Sequence, residues 1–166
     1  MSVVQVTCIN SPFGNLIVKA TEEAVVEINI APSKADHNTK PSLVSGVLAE
    51  ACIQLEEYFA GKRKEFSVSF VQDGTDFQKK IWAALQKIPF GRTVSYLDIA
   101  KLCGSPGAVR AVGRANSTNK IPILIPCHRV IGKNGNLVGY SGGITTKIWL
   151  LDHESRHSVN QQLPLF

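Results

Sequence analysis

Residues 121–130 read Ile121-Pro122-Ile123-Leu124-Ile125-Pro126-Cys127-His128-Arg129-Val130, and Tyr140-Ser141-Gly142-Gly143 lies shortly after. An apolar run delivers a thiol and an imidazole side by side. Pro126 has no backbone N–H and a fixed φ, which suits a segment leaving regular structure. A buried strand ending on Cys127 and followed by a turn presents a reactive sulfur. Sulfur attacks as thiolate, and a neighbouring base makes it one at neutral pH. A bare Cys-His pair is more often a structural cysteine beside an unrelated histidine, because adjacent side chains on an extended chain face opposite ways. The surroundings decide.

Upstream, Thr75 is a fair N-cap for a helix over Asp76–Ile88, where Phe77, Ile81, Trp82, Leu85 and Ile88 recur at helical spacing. Pro89-Phe90-Gly91 ends it. The pattern predicts a second helix over Val94–Cys103, capped by Ser95, a tight turn at Gly104-Ser105-Pro106-Gly107, and a third helix over Ala108–Asn116. Two short helices joined by a glycine-containing turn form a helix-turn-helix. Val130-Ile131 and Leu137-Val138, flanking Lys133-Asn134-Gly135-Asn136, predict a hairpin wing. Thr145–Glu154 is a last helix.

The first part of the chain reads differently. Val3–Ile9, Gly14–Ala20 and Ala24–Ile30 are Val- and Ile-rich strands, Pro41–Phe59 is an amphipathic helix closed by Gly61, and Phe66–Phe70 is a further strand. Gln72-Asp73-Gly74 is a linker. The expected fold class is α+β: residues 1–72 form a small domain with a short antiparallel sheet plus a helix. Residues 75–156 form a helical winged helix-turn-helix domain carrying the active site, and 157–166 are a tail.

Charge follows the same division. Residues 1–72 carry 6 Lys/Arg against 8 Asp/Glu, and 73–166 carry 12 against 5. A basic half with a helix-turn-helix pattern points to DNA. Its second helix, Gly107-Ala108-Val109-Arg110-Ala111-Val112-Gly113-Arg114-Ala115-Asn116, lacks the long polar side chains of a major-groove reader. Small residues allow close approach to a backbone, as in a minor groove. Arg110 alone stands out, as a side chain inserted where a base is extruded. Arg114, about one turn on, suits a phosphate contact.

Taken with Ile88-Pro89-Phe90-Gly91, Val94-Ser95-Tyr96, Arg110-Ala111-Val112-Gly113, Asn119, Tyr140-Ser141-Gly142-Gly143 and Trp149-Leu150-Leu151-Asp152-His153-Glu154, the Cys127 stretch resembles the O6-alkylguanine-DNA alkyltransferases. The likeness runs from Thr75 to about Glu154. It implies irreversible, single-turnover transfer of an alkyl group from O6-alkylguanine, and from O4-alkylthymine, to Cys127. His128 is then the general base, through a water, Glu154 orients it, and Asn119 braces the turn ahead of the site. Lys120 stands where the family usually has proline, which loosens that turn. The resemblance gives Arg110 the gap left by the flipped nucleotide and Tyr96 the neighbouring phosphate. Ser95 and Ala108 join Arg114 in the DNA-facing set. Tyr140 donates to guanine N3, the Ser141 N–H meets O6, the carbonyls of Cys127 and Val130 accept from the exocyclic amine, and Gly142 lets the backbone approach. A lesion binder lacking the cysteine and a thiol hydrolase are the alternatives.

No cofactor is needed. Some relatives carry a structural zinc in the N-terminal domain, but Cys8, Cys52 and His37 fall one ligand short of the usual four, so none is expected. Unpaired cysteines suggest the cytoplasm, Met1–Ala20 does not read as a signal peptide, and a monomer is expected. The ending Gln161-Gln162-Leu163-Pro164-Leu165-Phe166 resembles the peptide by which bacterial repair proteins dock on the sliding clamp, giving Gln162–Phe166 as a possible partner site; packing on its own domain is the competing reading.

Overall fold

The computed structural model describes residues 2–31 and 44–158. By its internal contacts the chain divides into two compact units, Met1–Gln72 and Asp73–Phe166.

In the first unit β1 (Gln5–Ser11), β2 (Gly14–Ala20) and β3 (Val25–Ala31) form an antiparallel sheet in sequential order. Cross-strand pairing, with a bulge between Lys19 and Ala20, brings Ile9, Leu16, Val18, Val25 and Ile28 to one buried face. Helix α1 (Gly46–Phe59) packs on β1 and β2 through Leu48, Ala51, Leu55 and Tyr58. Removing each large apolar side chain of this set from water contributes about 1.5–3 kcal/mol. Gly61 takes φ 74° just past the helix end.

Three sequence expectations shift. Strand β1 begins at Gln5 rather than Val3, and Val3 is 72% exposed. Helix α1 begins at Gly46, while residues 41–43 of the expected helix lie outside the described residues. Phe66–Phe70 makes no strand of its own: Phe70 forms a single parallel bridge with Val25, flanked by Val25 N–H donating to Ser69 O and Val71 N–H donating to Val25 O.

The second unit is helical. Helix α2 (Asp76–Leu85) starts on a full capping box: Thr75 Oγ1 accepts from the Gln78 N–H at 3.1 Å and Gln78 Oε1 accepts from the Thr75 N–H at 2.9 Å. Helix α3 (Tyr96–Leu102) repeats the device with Ser95 and Asp98. Helix α4 (Val109–Ser117) packs against both, and the Trp82 indole N–H donates to Ala115 O at 2.9 Å. Helix α5 (Ile144–His157) closes the unit.

Two further expectations are corrected here. The hairpin wing does not form as a ladder. β5 (Val130–Ile131) pairs in parallel with β4 (Val94–Ser95), Lys133–Gly135 make a short 3-10 turn, and Gly132 N–H to Asn136 O at 2.7 Å closes the loop. Nor is the apolar run a strand. Ile123 sits at φ 75°, a left-handed conformation that a β-branched residue adopts only under constraint, and Ile125 N–H turns back to Ile121 O at 3.0 Å. The side chain of Asn119 supplies that constraint. Its Nδ2 donates to Ile125 O at 2.9 Å and its Oδ1 accepts from the Ile121 N–H at 3.0 Å.

Candidate active site

Cys127, His128 and Arg129 form one 3-10 turn after Pro126. Successive side chains on such a turn diverge by about 120°, not the half-turn of a strand. The three therefore reach separate surroundings, and all three are buried.

Cys127 lines a cavity of about 430 Å³ with Tyr96, Val109, Gly113, Asn116, Ser117, Val138, Gly139, Tyr140 and Ser141. Helix α4 supplies one wall and the loop before α5 another. Burial pushes the Cys127 thiol up, against the opposing pull of the Asn119 side chain and the Lys147 charge. At rest the group is a neutral thiol. Tyr140 is partly exposed, but its hydroxyl is buried and lies against the Cys127 sulfur. Burial and the nearby Cys127 hold that hydroxyl protonated well past its ordinary value.

His128 turns away toward α5. Its Nε2 lies 2.8 Å from Glu154 Oε1, and its buried Nδ1 has no hydrogen-bond partner among the described residues. Burial lowers the pKa of His128, outweighing the neighbouring Glu154 carboxylate, so the ring is neutral at neutral pH. A neutral ring donating from Nε2 keeps a lone pair on Nδ1. Burial would raise Glu154, yet His128 and Arg129 hold it far below the usual carboxylate range.

Several participants escaped the sequence reading. Arg129 is bidentate on Glu154, and its Nη1 donates to Ile88 O at 2.6 Å. Gly91 N–H donates to Glu154 Oε2 at 3.1 Å. Gly91 sits at φ 78°, and a Cβ there would stand 2.5 Å from Ser158 Cβ, so that turn excludes other residues. Lys147 is fully buried and its Nζ donates to Val130 O at 2.7 Å and Val138 O at 3.2 Å. A signal existed: Lys147, Leu150 and Glu154 share the buried face of α5, and charge on the apolar face of a helix marks a committed partner.

The remaining predicted residues spread around this centre. Tyr96, Tyr140 and Ser141 line the cavity with Cys127. Arg110 and Arg114 are exposed on α4, and Ala108 is its N-cap. The Ser95 hydroxyl is taken up in capping α3. Val130 is buried in β5 and its carbonyl holds Lys147, away from the cavity lining. Gly142 lies in the turn closed by Gly143 N–H to Tyr140 O at 2.9 Å. Among the described residues no three His, Cys, Asp or Glu side chains gather as a metal site, and no helix is long and apolar enough to cross a membrane.

A cysteine facing a cavity, with a buried imidazole–carboxylate pair behind it and a helix-turn-helix around it, defines a DNA-directed thiol enzyme. Comparison with known proteins makes the assignment specific. Two family descriptions match end to end: the 6-O-methylguanine DNA methyltransferase ribonuclease-like domain over residues 4–71 and its DNA binding domain over 76–156. The constitutive methylated-DNA–protein-cysteine methyltransferase of Bacillus subtilis is 45% identical, the match covering 89% of this chain and 93% of that one. The Mycobacterium leprae enzyme of the same name is 44% identical over 95% of each. The crystal structure of Mycobacterium tuberculosis O6-methylguanine methyltransferase superposes with TM-score 0.81 at 40% identity, covering 96% of this chain and 97% of that one. The same protein in complex with DNA gives TM-score 0.80 at 40% identity, covering 92% and 94%. The chain belongs to the methylated-DNA–protein-cysteine methyltransferase family.

Proposed function

We propose that the protein repairs DNA by moving the alkyl group of O6-alkylguanine, and of O4-alkylthymine, onto Cys127. The carrying observation is that Cys127, Tyr140 and Ser141 share one cavity while His128 and Glu154 are paired behind it.

The duplex docks by its minor groove on α4. Arg110 fills the gap as the damaged nucleotide rotates into the cavity, Arg114, Ala108 and Tyr96 contact its backbone, and Ser95 fixes the start of the helix that carries Tyr96. His128 Nδ1 takes the Cys127 proton through a water, and Glu154 balances the imidazolium. The thiolate attacks the saturated alkyl carbon. A C–S bond forms, the C–O6 bond breaks, and its electron pair stays on guanine. The protonated Tyr140 hydroxyl donates to N3 and the Ser141 N–H to O6, offsetting that charge. Gly142 gives the base room, and Asn119 holds the turn that positions the sulfur. The thioether has no route back to thiol, so each molecule acts once. Cys8, Cys52, Cys103 and Cys127 are all free, which fits a reducing compartment such as the cytoplasm. The candidate clamp peptide Gln162–Phe166 lies outside the described residues; equal recovery of sliding clamp with and without it ends that reading.

The test is mass spectrometry after mixing with duplex DNA containing O6-methylguanine. One methyl group appears on Cys127, and a second equivalent of lesion stays unrepaired. Methyl loss from the lesion by Cys127→Ser overturns the mechanism; a cavity that binds the lesion without adduct formation overturns the activity.

A further inference from the structure

One buried amide stands between the nucleophile and a residue of the DNA-facing set. Asn116, on α4, lines the cavity with Cys127 and Tyr96 and is only 7% exposed. Its Nδ2 donates to the Cys127 carbonyl at 3.4 Å. That carbonyl also takes the Val130 N–H, which closes the 3-10 turn. The turn is thus fastened to itself and, through Asn116, to α4.

Tyr96 lies along the same helix. A Cβ on Gly113 would stand 3.9 Å from Tyr96 Cδ1 and Cε1, and Asn116 follows Gly113 by three residues, on the same side of α4. The ring therefore rests on α4 at Gly113, and its hydroxyl lies beside the Asn116 amide. Burial and then the nearby Cys127 push that hydroxyl up, and the amide pulls the other way. A carbonyl oxygen only accepts, so Nδ2 is committed to Cys127, and Oδ1 is the acceptor that the amide offers to a hydroxyl. Asparagine brings both roles in one short side chain, and leucine of similar size brings neither.

We infer that Asn116 is a positioning residue that couples DNA docking to the nucleophile: one end of its amide holds the Cys127 carbonyl and the other meets the Tyr96 hydroxyl, so that contact of the DNA backbone with Tyr96 sets the place of the sulfur. The inference rests on the proposed function, in which Tyr96 meets the backbone and Cys127 attacks, and deepens it. Asn116 touches no reacting atom and acts through its two neighbours. Attack on a saturated carbon depends steeply on where the sulfur stands. The effect therefore falls on the transfer step rather than on capture of the duplex.

Methyl transfer to Cys127 is followed in single turnovers with excess duplex carrying O6-methylguanine, over a range of duplex concentrations. Three quantities are read: the saturating rate, the half-saturating concentration and the final fraction of Cys127 methylated. Asn116→Leu lowers the saturating rate roughly ten-fold, the size of one buried neutral hydrogen bond, and leaves the other two within about two-fold of wild type. Tyr96→Phe, which removes only the hydroxyl, also slows transfer, and the double variant is no slower than the slower single variant. Losses that multiply in the double variant overturn the coupling. A loss confined to the half-saturating concentration overturns it too, and marks Asn116 as a wall of the base site. So does a loss confined to the final fraction methylated, which marks a structural role. Absence of any wild-type adduct instead overturns the underlying activity, and is told apart by that readout.

Discussion

Arg129 grips both oxygens of Glu154, with Nε 2.9 Å from Oε2 and Nη2 2.8 Å from Oε1. His128 shares Oε1 at 2.8 Å. The carboxylate that orients the imidazole is thus itself held by a guanidinium, which is anchored in turn on the Ile88 carbonyl. A planar fork matches a carboxylate in a way a lysine ammonium does not.

Breaking that pair is costly because it strands a buried charge. Glu154→Gln and Arg129→Met each destabilise the fold by about 3–5 kcal/mol. Exchanging both partners together costs less than the two single changes combined. Denaturant midpoints for the double-mutant cycle measure this, and additive losses contradict it.

The pH dependence follows from three groups. His128 has its pKa lowered from 6.5 by burial, so the unfolded chain binds a proton that the fold resists, and stability falls as pH drops below about 6.5. Glu154, held below its ordinary 4.5 despite its burial, adds a further loss as pH falls past that value. Cys127 is raised above 9.0 by burial, so the unfolded chain releases its proton first and stability declines above that pH. Thermal unfolding against pH shows a plateau between. Methyl-transfer rate holds through 6.5 and is lost only further into acid, where Nδ1 of His128 takes a proton. Maximal stability near pH 5 contradicts the assignment.

Arg110 is exposed on α4, and its side chain makes no hydrogen bond or ion pair among the described residues. Arg110→Ala leaves thermal stability within about 0.5 kcal/mol. It slows repair of duplex DNA by roughly 10–100-fold, because unstacking a base costs a few kcal/mol that the inserted side chain offsets. Reaction with the free modified base is unchanged. Equal slowing on both substrates removes Arg110 from the flipping step.

Lys147 ties the loop bearing Val138 to β5 with a buried ammonium. Lys147→Met leaves the Val130 and Val138 carbonyls without that donor, at about 1–3 kcal/mol for each that stays buried. It also removes a charge that eases ionisation of Cys127, so transfer at neutral pH slows and recovers as pH rises. A variant with wild-type rate across that range rules out this electrostatic contribution.

Local patterns in the chain specified much of this protein without help. Thr75 and Ser95 cap their helices as read, since a capping box needs only residues within one turn. Cys127 stood out because a thiol and an imidazole follow an apolar run, and Glu154 because a resemblance reached it. Tertiary contacts decided the rest. Ile121–Ile125 has the composition of a strand, yet Asn119 and the left-handed Ile123 fold it into a loop. Val130–Ile131 pairs with Val94–Ser95 instead of the near segment, because the partner that buries Val130 is brought by the fold. Gly91, Arg129 and Glu154 are far apart along the chain and meet only when α5 packs behind the Cys127 turn. Hydrogen bonds of that range leave no periodic trace in sequence, and only burial of their charges shows that each was chosen for another.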